Sequence, residues 1–262
     1  METSCLPWQN SAEERILSIY AVDSLLFLHA KILRNTEKSR DTARRDIVKL
    51  TEAGMVDRTH GGIILPQLTG RIEQYKDRIC IQEEAKRRIA KRVRECLKDK
   101  DMCFLDTSTT LRLLCESYKE DLKGKTIFTH SMDNVLILSE EKDIDLHAIG
   151  GKVNGKNRFF YGGDALRQIQ QVHFEAVVLG AAACMEDGLY YEDQEDAQIK
   201  RVVSEKADLV IVAADVTKFS KRSRYKGIGW GEVDLFITET NPGKKWEQRF
   251  SEIGVSLIYA GK

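Results

Sequence analysis

Residues 208–215 read Asp-Leu-Val-Ile-Val-Ala-Ala-Asp, six apolar residues closed at each end by an aspartate. A run of this length without alternation fits a strand buried on both faces, which an antiparallel strand with one wet face does not show. Working outward, the same pattern recurs with helical stretches between. MCFLD (102–106), KTIFTH (125–130), DLHAIGG (145–151) and FEAVVLGAAA (174–183) read as strands, as do VDLFITE (233–239) and SLIYAG (256–261). TTLRLLCESY (109–118), SMDNVLILSEE (131–141), GDALRQIQQ (163–171) and EDAQIKRVVSEKA (195–207) read as helices. Repeated strand–helix alternation with such strands predicts a parallel, doubly wound α/β sheet.

Upstream the pattern changes. IQEEAKRRIAKRVRECLKDK carries apolar residues at Ile81, Ala85, Ile89, Val93 and Cys96/Leu97, the stripe of a helix over 79–98. Pro66 stops an apolar run and marks a boundary near 65–78. Before it, residues 13–35 read as one helical stretch. Ser39 then caps a helix whose Ala43, Ile47 and Leu50 turn inward and whose Arg40, Arg44, Arg45 and Lys49 turn outward, with Gly54 ending it. MVDRTHGGIIL (55–65) reads as a hairpin around His60-Gly61-Gly62. The expected organisation is a head over 12–66, a linker over 67–80 and an α/β domain over 81–258.

Composition narrows the function classes. The 262 residues carry 41 Lys+Arg against 41 Asp+Glu, with 42% hydrophobic and 31% charged residues. That is a globular composition without a uniformly basic coat, although a local basic patch remains compatible with it. No stretch approaches 18 consecutive apolar residues, and the N-terminus lacks a basic start followed by an apolar run, so neither a spanning helix nor a secretory leader is expected. The six cysteines form no C-x-x-C pair and the five histidines are dispersed, so no metal centre or cofactor is expected. Gly124-Lys125-Thr126 precedes a strand and lacks the earlier glycine of a P-loop. Gly227-Ile228-Gly229-Trp230-Gly231 has no flanking strand and helix for a dinucleotide site and reads as a mobile loop.

Two constellations remain. Ser39, Arg40, Thr42, Arg44, Arg45 and Lys49 on one capped helix, with Arg58 and His60 on the following hairpin, suit base-edge and phosphate contacts in a major groove. A solvated basic face has the same composition. The second constellation lies at strand ends. Asp106 closes a strand, and Thr107, Ser108, Thr109 and Thr110 open a helix. His130 and Ser131 repeat the arrangement, and Gly150-Gly151 follows a third strand. Hydroxyls and free N–H groups at helix starts bind phosphate, and open α/β sheets bind ligands at carboxyl ends of strands. Lys200, Asp215 and Lys218 add charge. Plain N-capping by Thr109, Thr110 and Ser131 is the alternative.

These motifs, in this order, resemble the DeoR family of bacterial transcriptional repressors. SRDTARRDIVKLTEAGMVDRTHGG (39–62) is similar to the family's recognition helix and wing. FLDTSTT, TIFTHSM, AIGG, VVLGAAACMEDGLYYEDQEDAQIKR and IVAADVTKF are similar to motifs of its sensor domain. The likeness spans about 39–240. The chain departs from the family pattern at Leu25, Glu37, Lys38, Ser108 and His130. The resemblance implies a winged helix-turn-helix, with its helix-turn-helix at about Leu28 to Ile47, joined to a Rossmann-like sensor resembling sugar-phosphate isomerase folds. It implies operator DNA and a phosphosugar effector as partners, a homodimer or homotetramer, and a cytoplasmic repressor of carbohydrate genes, with no membrane partner. Two other readings stay open: an isomerase-like enzyme using Asp106 or Asp215 as base with Lys218 as phosphate clamp, and a degenerate regulator with weak DNA binding. Helix 79–98 is expected to couple the two domains.

Overall fold

A computed structural model describes residues 75–261, together with Phe27–Leu28, Val48, Asp57–Thr59 and Gly62–Ile64. The chain divides into two compact units, Met1–Arg71 and Ile72–Lys262.

In the first unit, β1 (Phe27–Leu28), β2 (Asp57–Thr59) and β3 (Gly62–Ile64) form a small antiparallel sheet in the order β1-β3-β2. Arg58 faces Ile63 across the pair and Thr59 faces Gly62. Phe27 and Leu28 are not helical. They pair with Ile63 and Gly62, which corrects the single helix expected over 13–35. The β2–β3 hairpin by itself leaves one edge of β3 unpaired, and Phe27–Leu28 pairs with that edge. Ser39, Arg40, Thr42, Arg44, Arg45, Lys49 and His60 lie outside the described residues, and Arg58 is described only as part of β2.

The second unit is built on seven parallel strands: β4 (Met102–Leu105), β5 (Thr126–Thr129), β6 (Asp145–Ala148), β9 (Ala176–Leu179), β12 (Val210–Ala213), β14 (Leu235–Thr238) and β15 (Ser256–Tyr259). Their order in space is β15-β14-β12-β9-β4-β5-β6. The chain therefore starts in the middle, runs to one edge, then returns and runs to the other, with the switch between β4 and β9. Every pairing in this sheet is parallel.

The apolar runs explain this arrangement. Side chains alternate across a strand, so one run feeds two cores. Phe104, Val177, Leu179, Val210, Val212 and Phe236 pack on one face. Cys103, Leu105, Ala176, Val178, Ile211, Ala213 and Ile237 pack on the other. The second face is covered by α2 (Glu83–Cys96), α3 (Thr109–Tyr118) and α4 (Met132–Leu138) through Ile89, Val93, Leu111, Leu114 and Leu138. The first is covered by α5 (Gly163–Gln170), α6 (Gln194–Ser204) and α7 (Lys244–Ile253) through Ile169, Ile199, Val203 and Phe250. Burying each such side chain stabilises the fold by about 1.5–3 kcal/mol.

Three features depart from the sequence reading. The helix expected over 79–98 begins at Glu83, because Gln82 adopts a left-handed conformation (φ 54°) and breaks the register. Ile81 is consequently 42% exposed, whereas Ala85, Ile89, Val93 and Leu97 are buried. Within the stretch read as a linker, Tyr75–Cys80 forms a separate short helix, α1, whose Tyr75 is buried.

The third departure is at Gly227–Gly231. Residues 225–229 are not a mobile loop but strand β13 (Tyr225–Gly229), paired antiparallel with β11 (Gly188–Tyr191), which also pairs with β10 (Ala183–Met185). The glycines permit this packing. A Cβ on Gly227 would stand 2.4 Å from the Tyr191 ring. Trp230, next in sequence, is buried against Phe236, Trp246 and Phe250. A further hairpin, β7 (Lys152–Asn154) with β8 (Phe159–Tyr161), follows the edge strand β6.

Candidate functional site

The switch between β4 and β9 opens a cleft at the strand carboxyl ends. The loop after β4 and the loop after β9 approach so closely there that Gly180 has no room for a side chain. A Cβ would lie 2.6 Å from that of Ser108. The resulting cleft, of about 40 Å3 and partly open to solvent, is lined by Arg78, Thr107, Ser108, Asn157, Ala181, Ala182, Tyr191, Glu192, Asp193 and Asp196. Its position is the one where open α/β sheets bind ligands.

Beneath the cleft floor is a fully buried charged cluster. Asp106, His130 and Lys200 are each inaccessible to solvent. The Lys200 ammonium lies 2.6 Å from Asp106 Oδ1 and also pairs with Asp196. Asp106 accepts two further hydrogen bonds, from the backbone N–H of Thr107 at 2.7 Å and of Gly180 at 2.8 Å. It thus ties the two loops of the switch point together. Tyr191 closes the arrangement. Its hydroxyl donates to Gly180 O at 2.9 Å, and its ring lies 5.0 Å from the Lys200 ammonium.

Electrostatics follow from this burial. Removal from water works against the charge on Lys200, but Asp106 and Asp196 outweigh it and raise its pKa. Burial likewise pushes Asp196 up, and Lys200 and His130 more than offset that, so its carboxyl ends below the usual carboxylate range. Asp106 is raised, because burial dominates over Lys200 and His130. His130 stacks on Phe104 at 5.5 Å, and its Nε2 lies 3.5 Å from Asp106 and 3.8 Å from Asp196. Neither ring nitrogen has a hydrogen-bond partner.

Asp106, His130 and Asp196 offer ligand atoms within 4.8 Å of one another, a spacing a metal ion could bridge. The ammonium of Lys200 already stands against both carboxylates, so a cation entering there would have to displace a buried lysine. The residues present do not fit a metal centre.

The hydroxyls are partly committed. Ser108 Oγ accepts from Leu111 N at 3.1 Å and caps α3, and Ser131 Oγ accepts from Asn134 N at 3.3 Å and caps α4. Capping therefore falls to Ser108 and Ser131, while Thr109 and Thr110 are buried in the first turn of α3. Ser108, the cap of α3, also lines the cleft, so the start of the helix adjoins it.

Of the twelve residues singled out, Thr107 and Ser108 line the cleft, and Asp106, His130 and Lys200 form its buried support. Lys200 is thus not the free positive charge expected from sequence, since its ammonium is consumed by two carboxylates. Gly150 and Gly151 follow the outer strand β6 and are not part of the cleft lining. Gly151 is there for another reason: its φ of 152° and a clash of 2.4 Å between a Cβ and Tyr161 O exclude a side chain. Asp215, two residues past β12, caps the short 3-10 turn Val216–Ser220 through Thr217 N at 3.2 Å, with Lys218 3.6 Å away. Burial raises the Asp215 carboxyl, and Lys218 and the Thr217 hydrogen bond more than reverse it.

Sequence reasoning missed Arg78, Asn157, Tyr191, Glu192, Asp193 and Asp196. Tyr191, Glu192, Asp193 and Asp196 lie in the stretch 177–201 that is similar to a sensor motif, and Asp196 also stands four residues before Lys200 on one helix face, whereas Arg78 and Asn157 left no signal.

The comparisons with known proteins agree with this architecture. Residues 81–240 match the DeoR C-terminal sensor domain, and residues 32–69 match the DeoR-like helix-turn-helix domain. The chain is 32% identical to the HTH-type transcriptional repressor GlcR of Bacillus subtilis over 220 residues, covering 84% of each protein. It is 25% identical to the lactose phosphotransferase system repressor of Lactococcus lactis, over 91% of this chain and 94% of that one. Among solved structures it resembles ribose 5-phosphate isomerase A from Neisseria gonorrhoeae with a TM-score of 0.39 and 16% identity, covering 54% of this chain and 55% of that one. With a helix-turn-helix segment and a doubly wound sensor unit in one polypeptide, the chain belongs to the DeoR family of DNA-binding transcriptional regulators.

Proposed function

We propose that this regulator represses a carbohydrate-utilisation operon and is released from its operator by a phosphorylated sugar bound in the switch-point cleft. The observation that carries the reading is that cleft, placed at the capped start of α3 and joined in one chain to a DNA-reading segment. Glu192 and Asp193 in the lining suit sugar hydroxyls, and the start of α3 suits a phosphate. Relatives named as a lactose phosphotransferase system repressor and as a putative aga operon transcriptional repressor support carbohydrate control.

In this account the head spans 12–66, the connecting stretch 67–80 and the sensor 81–258. Ser39, Arg40, Thr42, Arg44, Arg45 and Lys49 enter the major groove, and Arg58 and His60 lie against the neighbouring backbone. Two-fold symmetry matches an operator of repeated half-sites, so the working species is a homodimer or homotetramer in the cytoplasm. Effector binding favours a state whose heads no longer fit the half-site spacing.

The protein is not an enzyme in this reading. Asp106 is sealed beneath Thr107 and Ser108 with its oxygens engaged, and a general base must reach its substrate. Calorimetric titration with a panel of hexose and pentose phosphates, and with the parent sugars, tests the effector class. Binding of one phosphorylated sugar without turnover is expected. Steady conversion of that sugar to an isomer would replace this reading with the enzymatic one.

A further inference from the structure

The seven-stranded sheet has two ends, and they differ. At one end is β15, beside a groove lined by Arg88, Lys91 and Arg92 of α2, with Glu95 as its acid. Two copies meeting there would set like charges against each other. At the other end is β6, whose Asp145-Leu146-His147-Ala148 has no lysine, proline or bulge to discourage pairing. Among the described residues β5 is its only strand neighbour. Asp145 N donates to Lys125 O at 3.0 Å and Ile149 N to Thr129 O at 2.8 Å. Alternate residues from Asp145 to Ile149 therefore turn their main chain to β5, and Leu146 and Ala148 direct their N–H and C=O groups to the open side.

Apolar surface flanks this open edge on both faces of the sheet. On one face α4 packs on β6 and carries Leu136, which is 61% exposed. On the other, a shallow groove of about 790 Å3 lies between β6 and α5, with Phe128 and Ile149 in its lining beside Arg167 and Gln168. Gln168 holds α5 to the end of β6 by exchanging hydrogen bonds with Gly150 N and Gly150 O, each at 3.3 Å. The His147 ring lies over Phe128 with centroids 4.3 Å apart, and its Nε2 is 3.2 Å from Asp145 Oδ2. Asp145 and His147 are both exposed, and two positions apart on a strand they share one face.

We propose that a second copy of this chain docks on β6, its own β6 running antiparallel about a two-fold axis at Leu146, so that the two sheets continue into one. This rests on the homo-oligomer reading above and names its interface. The register follows from the outward groups. Leu146 of each copy exchanges both main-chain hydrogen bonds with Leu146 of the other. Asp145 of each copy then stands opposite His147 of the other, at the closer, non-hydrogen-bonded position. The edge is thus complementary to itself about this axis, as a two-fold interface requires. An imidazole N–H donates to a carboxylate whether or not the ring is charged. Strand pairing alone buries too little for a stable dimer. The same axis brings α4 against α4 and α5 against α5, which covers Leu136 and closes the groove.

The test is sedimentation equilibrium of the full chain over a concentration series, with four variants. His147→Asp sets a carboxylate against Asp145 of the other copy and should weaken one association step about tenfold. The double variant Asp145→His with His147→Asp swaps the pair across the axis and should return association to within about threefold of the wild type. Ala148→Pro removes an outward N–H that β5 does not use, and should weaken the same step while the far-UV circular dichroism stays as in the wild type. Lys91→Asp, at the opposite end of the sheet, should leave association unchanged. Rescue by the double variant separates a contact between copies from damage to the fold, because a single folded copy gains nothing from the swap. A wild type that associates, with H147D and A148P associating equally well, would overturn the β6 assignment and leave the homo-oligomer reading standing. A double variant as weak as H147D would overturn the register at Leu146. A wild type that stays monomeric at every concentration would overturn both readings.

Discussion

Replacing Lys200 with methionine removes the only lysine among the described residues that neutralises two buried carboxylates at once. The side chain is of similar length, so packing is nearly kept and the electrostatic effect is isolated. Lys200 is inaccessible, lies 2.6 Å from Asp106 and also holds Asp196, which is itself mostly covered. Taking one partner from a buried pair typically costs about 3–5 kcal/mol, because the remaining charge is left unpaired in a poor solvent. The sensor unit, Ile72–Lys262, has about 190 residues, for which each kcal/mol lowers Tm by roughly 2–4 °C. The expected drop is therefore roughly 6–20 °C at pH 7. Two of the three tryptophans, Trp230 and Trp246, lie in this unit and report its unfolding in urea.

The pH dependence supplies the sign. Without Lys200, Asp106 and Asp196 in the folded state hold protons more tightly than in the unfolded chain. The folded state then binds more protons, so the stability of the variant rises as pH falls, and its deficit against the wild type narrows towards pH 5. Adding Asp106→Asn to the variant should restore part of the loss, since it removes one stranded charge. A deficit below about 1 kcal/mol at pH 7, or one that widens on acidification, would refute the cluster as described.

Other outcomes follow from the same structure. Gly180→Ala puts a methyl group 2.6 Å from the Ser108 Cβ, and should cost about 1–3 kcal/mol in urea unfolding while weakening phosphosugar binding. Phe250→Ala empties the middle of the Phe219, Trp230, Phe236 and Trp246 cluster and should cost about 3–5 kcal/mol by the same measurement. Lys86 releases its proton near pH 8 in the folded state. The unfolded chain keeps that proton to a higher pH, so wild-type stability should gain from Lys86 as pH rises from about 8 towards 10, and Lys86→Met should flatten that slope in pH-dependent melts. Arg44→Ala with Arg45→Ala should weaken operator binding across sequences and reduce its salt dependence by about one unit of slope per lost phosphate contact.

The parallel sheet was legible because its strands are sealed on both faces. Runs such as Ala176–Leu179 and Val210–Ala213 are buried at every position, and such runs advertise themselves as unbroken apolar stretches. Edge and accessory strands lack that signature. β13 carries Gly227 because the Tyr191 ring packs against it, and the sequence shows only a glycine-rich stretch. The strand at Phe27–Leu28 was hidden inside an apolar segment whose periodicity could not separate helix from strand.

Half of the site was legible for a similar reason. Asp106, Thr107 and Ser108 stand at a strand end opening a helix, a local pattern. Arg78, Asn157 and Asp193 meet only through tertiary structure, with Arg78 and Asn157 separated by 79 positions. Lys200 was noticed as a charge, but its burial between Asp106 and Asp196 depends on how α6 packs under the switch point, which no spacing in the sequence records.

The central claim is that one chain reads an operator and that a phosphorylated sugar in the cleft releases it. The most direct measurement is fluorescence anisotropy of labelled DNA from upstream of the protein's own gene, titrated with the full chain at fixed salt, with and without each phosphosugar. Salt is held constant because phosphate contacts make affinity steeply salt-dependent. The account predicts binding at least about a thousandfold tighter than to random DNA, lost on addition of one phosphorylated sugar and unaffected by its unphosphorylated parent. Equal affinity for operator and random DNA, or operator binding indifferent to every phosphosugar tried, would contradict it.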